Sequence, residues 1–365
     1  GHQAGANITT GNNNVAVGRN AMVLAKEVSD IVSIGAYSLD AITTDTNNNG
    51  TVAIGKNALT AMTSGLGNTA IGYLSADAVT TGNHNTAIGY EALSTATVTA
   101  GQDEHTAVGY QALKDCSGDR NTAIGTSAMS GVDNSDNCVA VGFEALKTSG
   151  TTDANIDGST ALGYQSLTAL TSAQRMTAVG YQALSSEDAG SYQTAVGYQA
   201  LSQVNNDNGH NTALGQRAGY TLTTGYSCTL IGSGADSTDS GGINRIGIGQ
   251  GVSVGTNNIA VIGSNDVTAV YMAQDAGAVV HAAGLKFDDD QTNNIDEANT
   301  LDDYEEGYFT GALTCGSGTA TVNGSYDQLA YTKIGRMVHV QGALVMSAIS
   351  SPSGTLAVNL PFTSG

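Results

Sequence analysis

The stretch Asn85-Thr86-Ala87-Ile88-Gly89-Tyr90-Glu91-Ala92-Leu93 contains a short phrase that the chain repeats fifteen times. The phrase is a β-branched residue, a small residue, an aliphatic residue and glycine, and its glycines lie 15 to 21 residues apart, most often 17. A period this short is typical of a solenoid, in which each repeat is one coil that buries its apolar face only against its neighbours. The repeat glycines are Gly18, Gly35, Gly55, Gly72, Gly89, Gly109, Gly125, Gly142, Gly163, Gly180, Gly197, Gly215, Gly232, Gly247 and Gly263.

The three residues before each repeat glycine predict a short β-strand, because side chains of a strand alternate between its two faces. The residue directly before the glycine is always aliphatic, as at Ile88; alanine usually precedes it, as at Ala87, and Val or Thr comes before that, as at Thr86. We expect the aliphatic side chains to fill the coil interior. The alanine columns then face the other way and are the expected surface for close contact with further copies of the chain.

The residues after the glycine predict a second strand in each coil. Through the first thirteen coils the third residue after the glycine is Ala or Ser, and Leu or Met usually follows. We therefore expect two short strands joined by a glycine turn, followed by a polar loop that takes up the variation in length. Proline occurs only at Pro352 and Pro361, so residues 11–263 are expected to form one continuous stack. Fifteen strands about 4.8 Å apart give a rod roughly 70 Å long.

The interior of such a coil is thin, because it pairs one aliphatic row with one leucine row. Chains that bury little apolar surface generally need oligomerisation to form stable folds. The columns therefore predict association of identical chains, without setting the number of copies.

Composition excludes several classes of function. Only 12% of the 365 residues are charged and the formal net charge is −20. This composition excludes the positively charged surface that a nucleic-acid-binding protein uses. No apolar run approaches the length of a transmembrane span, so membrane insertion is not expected. The chain begins at Gly1 without a signal-like segment, from which we expect that further sequence precedes it.

The four cysteines are expected to be free thiols. Cys138 and Cys228 share a column four residues before the glycine but lie five coils apart, or roughly 24 Å. A disulfide requires Cα atoms within about 7 Å. Cys116 and Cys315 have no obvious partner either, which is consistent with assembly in a reducing compartment.

The chain changes character after the repeats. The solenoid of repeats is expected over residues 1–263, a neck and an acidic linker over 264–306, and the start of a β-sandwich-like terminal domain over 307–365. The neck is expected to hold strands at 267–272 and 277–281. The terminal segment predicts strands at 308–313, 320–322, 329–334 and 337–346, with a hairpin at 331–336, and is expected to continue beyond the last residue.

These phrases resemble two known groups of proteins. The coils are similar to the left-handed parallel β-roll of the YadA-like head domain in trimeric autotransporter adhesins. The regular form at 85–93, together with segments 281–287, 301–307, 331–336 and 360–362, resembles tail-fibre proteins of marine and cyanobacterial phages.

The tail-fibre resemblance implies a homotrimer in the virion tail that is joined to other tail or baseplate proteins and contacts a host glycan or protein receptor. The alternative is an autotransporter-like adhesin on a bacterial surface, although the membrane anchor of that family has no counterpart in residues 1–365. A third hypothesis, a tailspike that cleaves capsule, needs paired carboxylates in a cleft. The acidic residues are instead scattered or gathered in the linker, so an enzyme is not expected.

Few residues are candidates for a binding site. A file of aromatic residues follows the glycines, Tyr73, Tyr90, Tyr110, Phe143, Tyr164, Tyr181 and Tyr198, and predicts a structural ladder of rings, with sugar stacking as the alternative.

Other motifs lack the residues that their chemistry needs. Segment 45–50 opens like an EF-hand loop but has Lys56 where glutamate is required. Asp288-Asp289-Asp290 is interpreted as solvated linker. Segment 247–251 lacks the helix of a phosphate loop. No histidine has a second ligand at metal spacing, although His84 and His105 lie in neighbouring coils. No catalytic, cofactor-binding or metal-ligating residues are therefore predicted, and no receptor-binding residues are assigned.

Overall fold

The computed structural model describes residues 1–43, 49–95, 104–148, 156–268, 270, 304–334 and 337–359. The chain divides into two compact units, Gly1–Val270 and Tyr271–Gly365. The described residues form strands and turns and no helix, so the prediction of an all-β protein is confirmed.

The first unit is a parallel β-solenoid. One three-residue strand from each coil joins a single sheet of fifteen strands, and the repeat columns pair with each other, as in Thr86↔Thr106 and Ala87↔Ala107. Two further short strands, β14 (Asp236–Ser237) and β16 (Ser253–Val254), pair with each other outside this sheet. The strands are β1 Val15–Val17, β2 Val32–Ile34, β3 Val52–Ile54, β4 Thr69–Ile71, β5 Thr86–Ile88, β6 Thr106–Val108, β7 Thr122–Ile124, β8 Val139–Val141, β9 Thr160–Leu162, β10 Thr177–Val179, β11 Thr194–Val196, β12 Thr212–Leu214, β13 Thr229–Ile231, β14 Asp236–Ser237, β15 Ile246–Ile248, β16 Ser253–Val254 and β17 Ala260–Ile262.

The two faces of each strand lie opposite to the prediction. Alanines of the middle column, such as Ala87 and Ala107, are fully buried in the coil interior, whereas Ile88 is exposed. The remaining interior comes from the segment after the glycine, where Ala92 and Leu93 are also buried. The coil is too narrow for an aliphatic strand residue opposite a leucine, so the small residue points inward. The predicted assignment of the alanine columns to an intermolecular surface is therefore wrong.

The segment after the glycine is a left-handed turn in most coils. The second and fourth residues after the glycine have positive φ, for example 53° at Gln111 and 52° at Leu113, so no extended strand forms there. Only β14 and β16 supply the second strand that was predicted for each coil. Positive φ is costly for β-branched residues. In the twelve coils from Gly18 to Gly215, accordingly, neither position holds Val, Ile or Thr.

The repeat glycines are required by the spacing between coils. Gly89 has φ of +140°, and a Cβ added there would lie 2.3 Å from the carbonyl oxygen of Gly109 in the next coil. One predicted member of this column is wrong: Gly249, not Gly247, stacks on Gly232. Gly247 instead lies in the middle of its strand and pairs with Leu230.

A column of polar side chains four residues before the glycine joins successive coils. The Oδ1 atom of Asn68 accepts a hydrogen bond from the backbone N–H of Asn85 at 2.9 Å, and Asn85 accepts in the same way from His105 at 2.9 Å. Asn121 accepts from the N–H of Cys138 at 2.9 Å, and its Nδ2 donates to the carbonyl of Ser135 at 2.6 Å. These side chains hold the next coil, and Asn68 and Asn121 also bond to the loop of that coil.

The second unit consists of antiparallel strands. Strands β18 (Tyr304–Thr310), β21 (Gln328–Ile334) and β22 (Met337–Gln341) form one sheet. Two further pairs join β19 (Leu313–Thr314) with β24 (Ala357–Val358) and β20 (Ser317–Val322) with β23 (Met346–Ser353). The predicted hairpin is confirmed by the pairing of Ile334 with Met337, whereas the strand predicted over 337–346 is divided between β22 and β23.

Several sequence predictions concern other segments. Three of these segments lie outside the described residues: the neck strand over 277–281, nearly all of the acidic linker, and Gly335 at the hairpin turn. The strand predicted over 267–272 is described only at residues 267, 268 and 270, which are not in a strand.

Candidate functional site

The outer face of the fifteen-stranded sheet carries an aliphatic row beside a row that is mostly threonine. The residues directly before the repeat glycines point away from the coil interior, and the most exposed of them have between 36 and 53% of their surface accessible. A solvated sheet face normally carries long polar side chains, so a continuous aliphatic row indicates a contact surface. We call this surface the aliphatic face. Its most exposed members are Val17, Ile34, Ile88, Ile124, Leu162, Leu214, Ile248 and Ile262.

The aromatic file forms two stacks of rings, as the ladder interpretation predicted. In the lower stack the ring centroids of Tyr90 and Tyr110 are 5.3 Å apart with an angle of 14° between the ring planes. The upper stack runs from Phe143 through Tyr164, Tyr181 and Tyr198 at spacings of 5.0 to 5.3 Å. The faces of the inner rings are covered by other rings, so a sugar could stack only at the end of a stack.

A row of polar side chains follows the rings, one residue further along each coil. In the lower row, the Nε2 atom of Gln111 donates a hydrogen bond to Glu91 at 2.8 Å. In the upper row Gln165 donates to Glu144 at 2.9 Å, and Gln182 donates to Gln165 at 3.2 Å. Amide and carboxylate side chains thus bridge adjacent coils at the surface.

Two lysines reinforce this polar row. The Nζ atom of Lys114 lies 3.1 Å from Glu91, and that of Lys147 lies 2.7 Å from Glu144. The hydrogen bond from Gln111, followed by that from Lys114, lowers the pKa of Glu91. The hydrogen bonds from Lys147 and then Gln165 lower the pKa of Glu144 in the same way. Both carboxylates are therefore held in the ionised form at neutral pH.

Both rows are interrupted at one coil. In the coil of Gly125, the positions that hold an aromatic residue and a long polar residue elsewhere are occupied by Thr126 and Ser127. The backbone continues without a break: the N–H of Ser127 donates to the carbonyl of Tyr110 at 2.8 Å, and the N–H of Glu144 donates to that of Thr126 at 3.0 Å. The interruption is therefore a gap in the side chains alone.

Buried thiols and a buried carboxylate of the solenoid are engaged in structural contacts. Burial raises the pKa of the Cys116 and Cys138 thiols to about 12. Cys116, Cys138 and Cys228 are buried free thiols, as predicted. The buried carboxylate of Glu187 accepts from the N–H of Gly190 at 2.6 Å, and burial raises its pKa.

The motifs set aside in the sequence have structural roles where they are described. His105 is buried and its Nδ1 accepts from the N–H of Asn121 at 3.3 Å, whereas His84 is exposed. Segment 247–251 is the end of strand β15 and the turn after it. Within the described ranges, no group of three or more His, Cys, Asp or Glu residues is arranged to hold a metal ion. Most of segment 45–50 and all of 288–290 lie outside those ranges.

The fold defines the class of protein as a parallel β-solenoid. No protein-family model, curated protein or solved structure matches the chain. Across the described part of the chain, no helix has the length and apolar character needed to cross a membrane.

Proposed function

We propose that this chain is part of a phage tail fibre, in which three copies form a stiff, left-handed β-roll shaft that carries a host-binding tip. The function is structural and adhesive, with no catalytic step. Its partners are two further copies of the chain, other tail or baseplate proteins, and a glycan or protein on the host surface. The left-handed winding, the trimer and the location in the virion tail come from the resemblance of the repeats.

The aliphatic face is the observation that carries this proposal. A strip about 70 Å long and roughly 10 Å wide has an area of about 700 Å², given the dimensions of strands. The largest apolar patch on a typical monomer is about 300–600 Å². A stable interface buries about 800 Å² per partner. The strip therefore exceeds the patch of a typical monomer and approaches the area that a stable interface buries on one partner, which supports its being covered by other copies.

Side-by-side association of identical rods suits a fibre. Each coil contacts only its neighbours, so a single solenoid resists bending through a thin core alone. Three coils packed through their aliphatic faces would share one thicker core. The same symmetry presents three copies of any binding site at the tip, so that weak contacts with the host gain avidity.

Solution mass tests the association. We expect the wild-type chain to have three times its single-chain mass of 36.7 kDa. The double variant Ile88→Lys with Ile124→Lys places two charges on the aliphatic face and should dissociate the assembly. Gln216→Lys adds one such charge at an exposed position outside the aliphatic face, in the column of the aromatic file, and should leave the mass unchanged. A wild-type mass of one chain would contradict the proposal.

Immunogold electron microscopy with an antibody against residues 11–263 tests the location. Gold on virion tails would support the fibre. Gold on bacterial envelopes would instead support the alternative, a trimeric surface adhesin built on the same roll. Both outcomes are compatible with an assembled aliphatic face, so the two experiments address separate parts of the proposal.

A further inference from the structure

The gap between the two aromatic stacks has the dimensions of a binding site for one ring. We define the notch by the residues of its floor and of its two walls. The floor is formed by Thr126 and Ser127, and the walls by Tyr110 with Gln111 on one side and Phe143 with Glu144 on the other.

The height of the notch follows from the spacing of the stacks. Tyr90 and Tyr110 have centroids 5.3 Å apart, as do Phe143 and Tyr164. Tyr110 and Phe143 lie two coils apart, which corresponds to about twice this spacing, about 10.6 Å. A six-membered ring placed midway would lie about 5 Å from each wall, within the range of favourable ring stacking. The notch therefore has room for one ring.

The wall rings are accessible. Tyr110 and Phe143 are 47% and 43% exposed, close to the 44% of Tyr90 and the 41% of Tyr164 within the stacks. The other end of the lower stack is covered, because the ammonium group of Lys56 lies 5.5 Å from the ring centroid of Tyr73. Thr126, between the two walls, is also exposed. Among the described residues, Tyr110 stacks on Tyr90 and Phe143 on Tyr164, and no ring stacks on the sides that border the notch.

The polar side of the notch determines the class of ligand. Gln111 uses its Nε2 for Glu91, and its amide oxygen has the chemistry of an acceptor. Glu144 is fixed by Lys147 and Gln165, and its two oxygens have lone pairs for further hydrogen bonds. Flat apolar faces beside oriented acceptors and small hydroxyls suit a ring that has C–H groups on its faces and hydroxyls at its edge. A pyranose has this pattern, whereas a purely apolar ring would not use the polar edge.

We propose that the notch binds one pyranose unit of a polysaccharide, stacked between Tyr110 and Phe143. A small exposed site of this kind is expected to have a Kd of about 1 mM for a single sugar, and the symmetric assembly would strengthen binding to a polymer. The assignment to a host polysaccharide rests on the proposed function. The sugar site itself does not, and it leaves the rest of each ring stack with a structural role.

The test uses the whole chain and saturation-transfer difference NMR with methyl glycosides of glucose, galactose, mannose and N-acetylglucosamine. Thr126→Tyr fills the notch with a seventh tyrosine of the file, at a position where six other coils have one. Gln216→Tyr is the matched control, because it adds a tyrosine beside Tyr198 in the same column and leaves the notch open. Both variants should melt at or above the wild-type temperature, since each extends a stack.

We expect saturation transfer to at least one glycoside with wild-type protein and Gln216→Tyr, and a reduction of at least tenfold with Thr126→Tyr. Ser127→Gln, which restores the polar row across the notch, should also reduce transfer and serves as the second variant if Thr126→Tyr does not fold. No transfer from wild-type protein, or equal transfer from Thr126→Tyr, would overturn the inference. Transfer to phenol but to none of the glycosides would overturn the assignment to sugar. Mass and virion location are measured separately, so the fibre proposal can stand or fall without this result.

Discussion

The two segments of each coil obey opposite conformational rules, although they are joined by a single glycine. The strand before the glycine is extended and holds β-branched residues, as at Thr106 and Val108. The turn after it has a positive φ at alternate residues in most coils, as at Gln111 and Leu113, and excludes β-branched residues at those positions. One apolar interior is therefore built from two backbones with different residue preferences. Substitutions can show how strictly each rule holds.

Replacing the glycine at the junction should have the largest effect. Gly109 has φ of +138°, and a Cβ there would meet the carbonyl oxygen of Gly125 at 2.4 Å. We expect Gly109→Ala to lower the free energy of unfolding by more than about 4 kcal/mol, measured by urea denaturation at fixed protein concentration. Gly241→Ala is the control, because its Cβ would meet nothing closer than 3.7 Å and should change stability by less than about 0.5 kcal/mol. Equal effects of the two variants would contradict the crowding seen at the junction.

The next test moves a β-branched residue across the junction. Leu113→Ile places one in the turn at φ of 52° and should cost on the order of 1–3 kcal/mol in backbone strain. Leu113→Met keeps an unbranched Cβ and is expected to cost less than about 1.5 kcal/mol. Val108→Ile makes a β-branched exchange in the strand and should stay within about 0.5 kcal/mol. If Leu113→Ile were as stable as Leu113→Met, the left-handed turn would not be the reason for the residue preference.

The smallest expected effect on stability comes from an ionisable side chain in a loop between coils, Glu187. The pKa of Glu187 is raised by burial, so the folded state retains its proton more strongly than the unfolded state does. Stability from this group is present below the unfolded pKa of 4.5 and is lost as pH rises through the folded value. We therefore expect the stability of wild type relative to Glu187→Gln to fall between pH 4 and pH 7.

Glu91→Gln provides a control of opposite sign. The pKa of Glu91 is lowered, first by Gln111 and then by Lys114. Its contribution is present above the unfolded pKa of 4.5 and is lost as pH falls through the folded value. The stability of wild type relative to Glu91→Gln should therefore rise between about pH 3 and pH 5 and stay level from there to pH 7. Thermal denaturation of the three proteins at several pH values measures both differences. Parallel pH profiles for the two variants would show that these two carboxylates do not differ as their environments predict.

The repeat allowed much of the solenoid to be predicted from the sequence. The period of the repeat predicted the stack of coils. The columns predicted the strands and the stacked rings, because a residue in one coil must lie beside its equivalent in the next. Gly247 was misplaced because its coil reads Ile246-Gly247-Ile248-Gly249, and only the contact with Gly232 decides which glycine is in the column.

The direction of the strand faces could not be predicted from polarity alone. Alternation shows that Ala87 and Ile88 point in opposite directions, and the larger apolar residue is ordinarily the one buried. The answer depends on the width of the coil, which is set by Leu93 and its equivalents in the turn. One signal was present in the sequence: the lack of β-branched residues two and four positions after the glycine marks left-handed backbone. The gap at Thr126 and Ser127 was also visible as a break in two columns, but its meaning required the ring spacing.

The constant pairing of the strands has a consequence for how such a chain can change in length. Strand β5 is followed by β6 after 20 residues and β10 by β11 after 17, and both pairs keep the same residue-to-residue register. Extra residues are absorbed between the leucine of one coil and the strand of the next, so insertions there leave the stack unaltered. Each coil thus offers an independent insertion point along the rod, where evolution or an engineer can add peptides at regular intervals without redesigning the core.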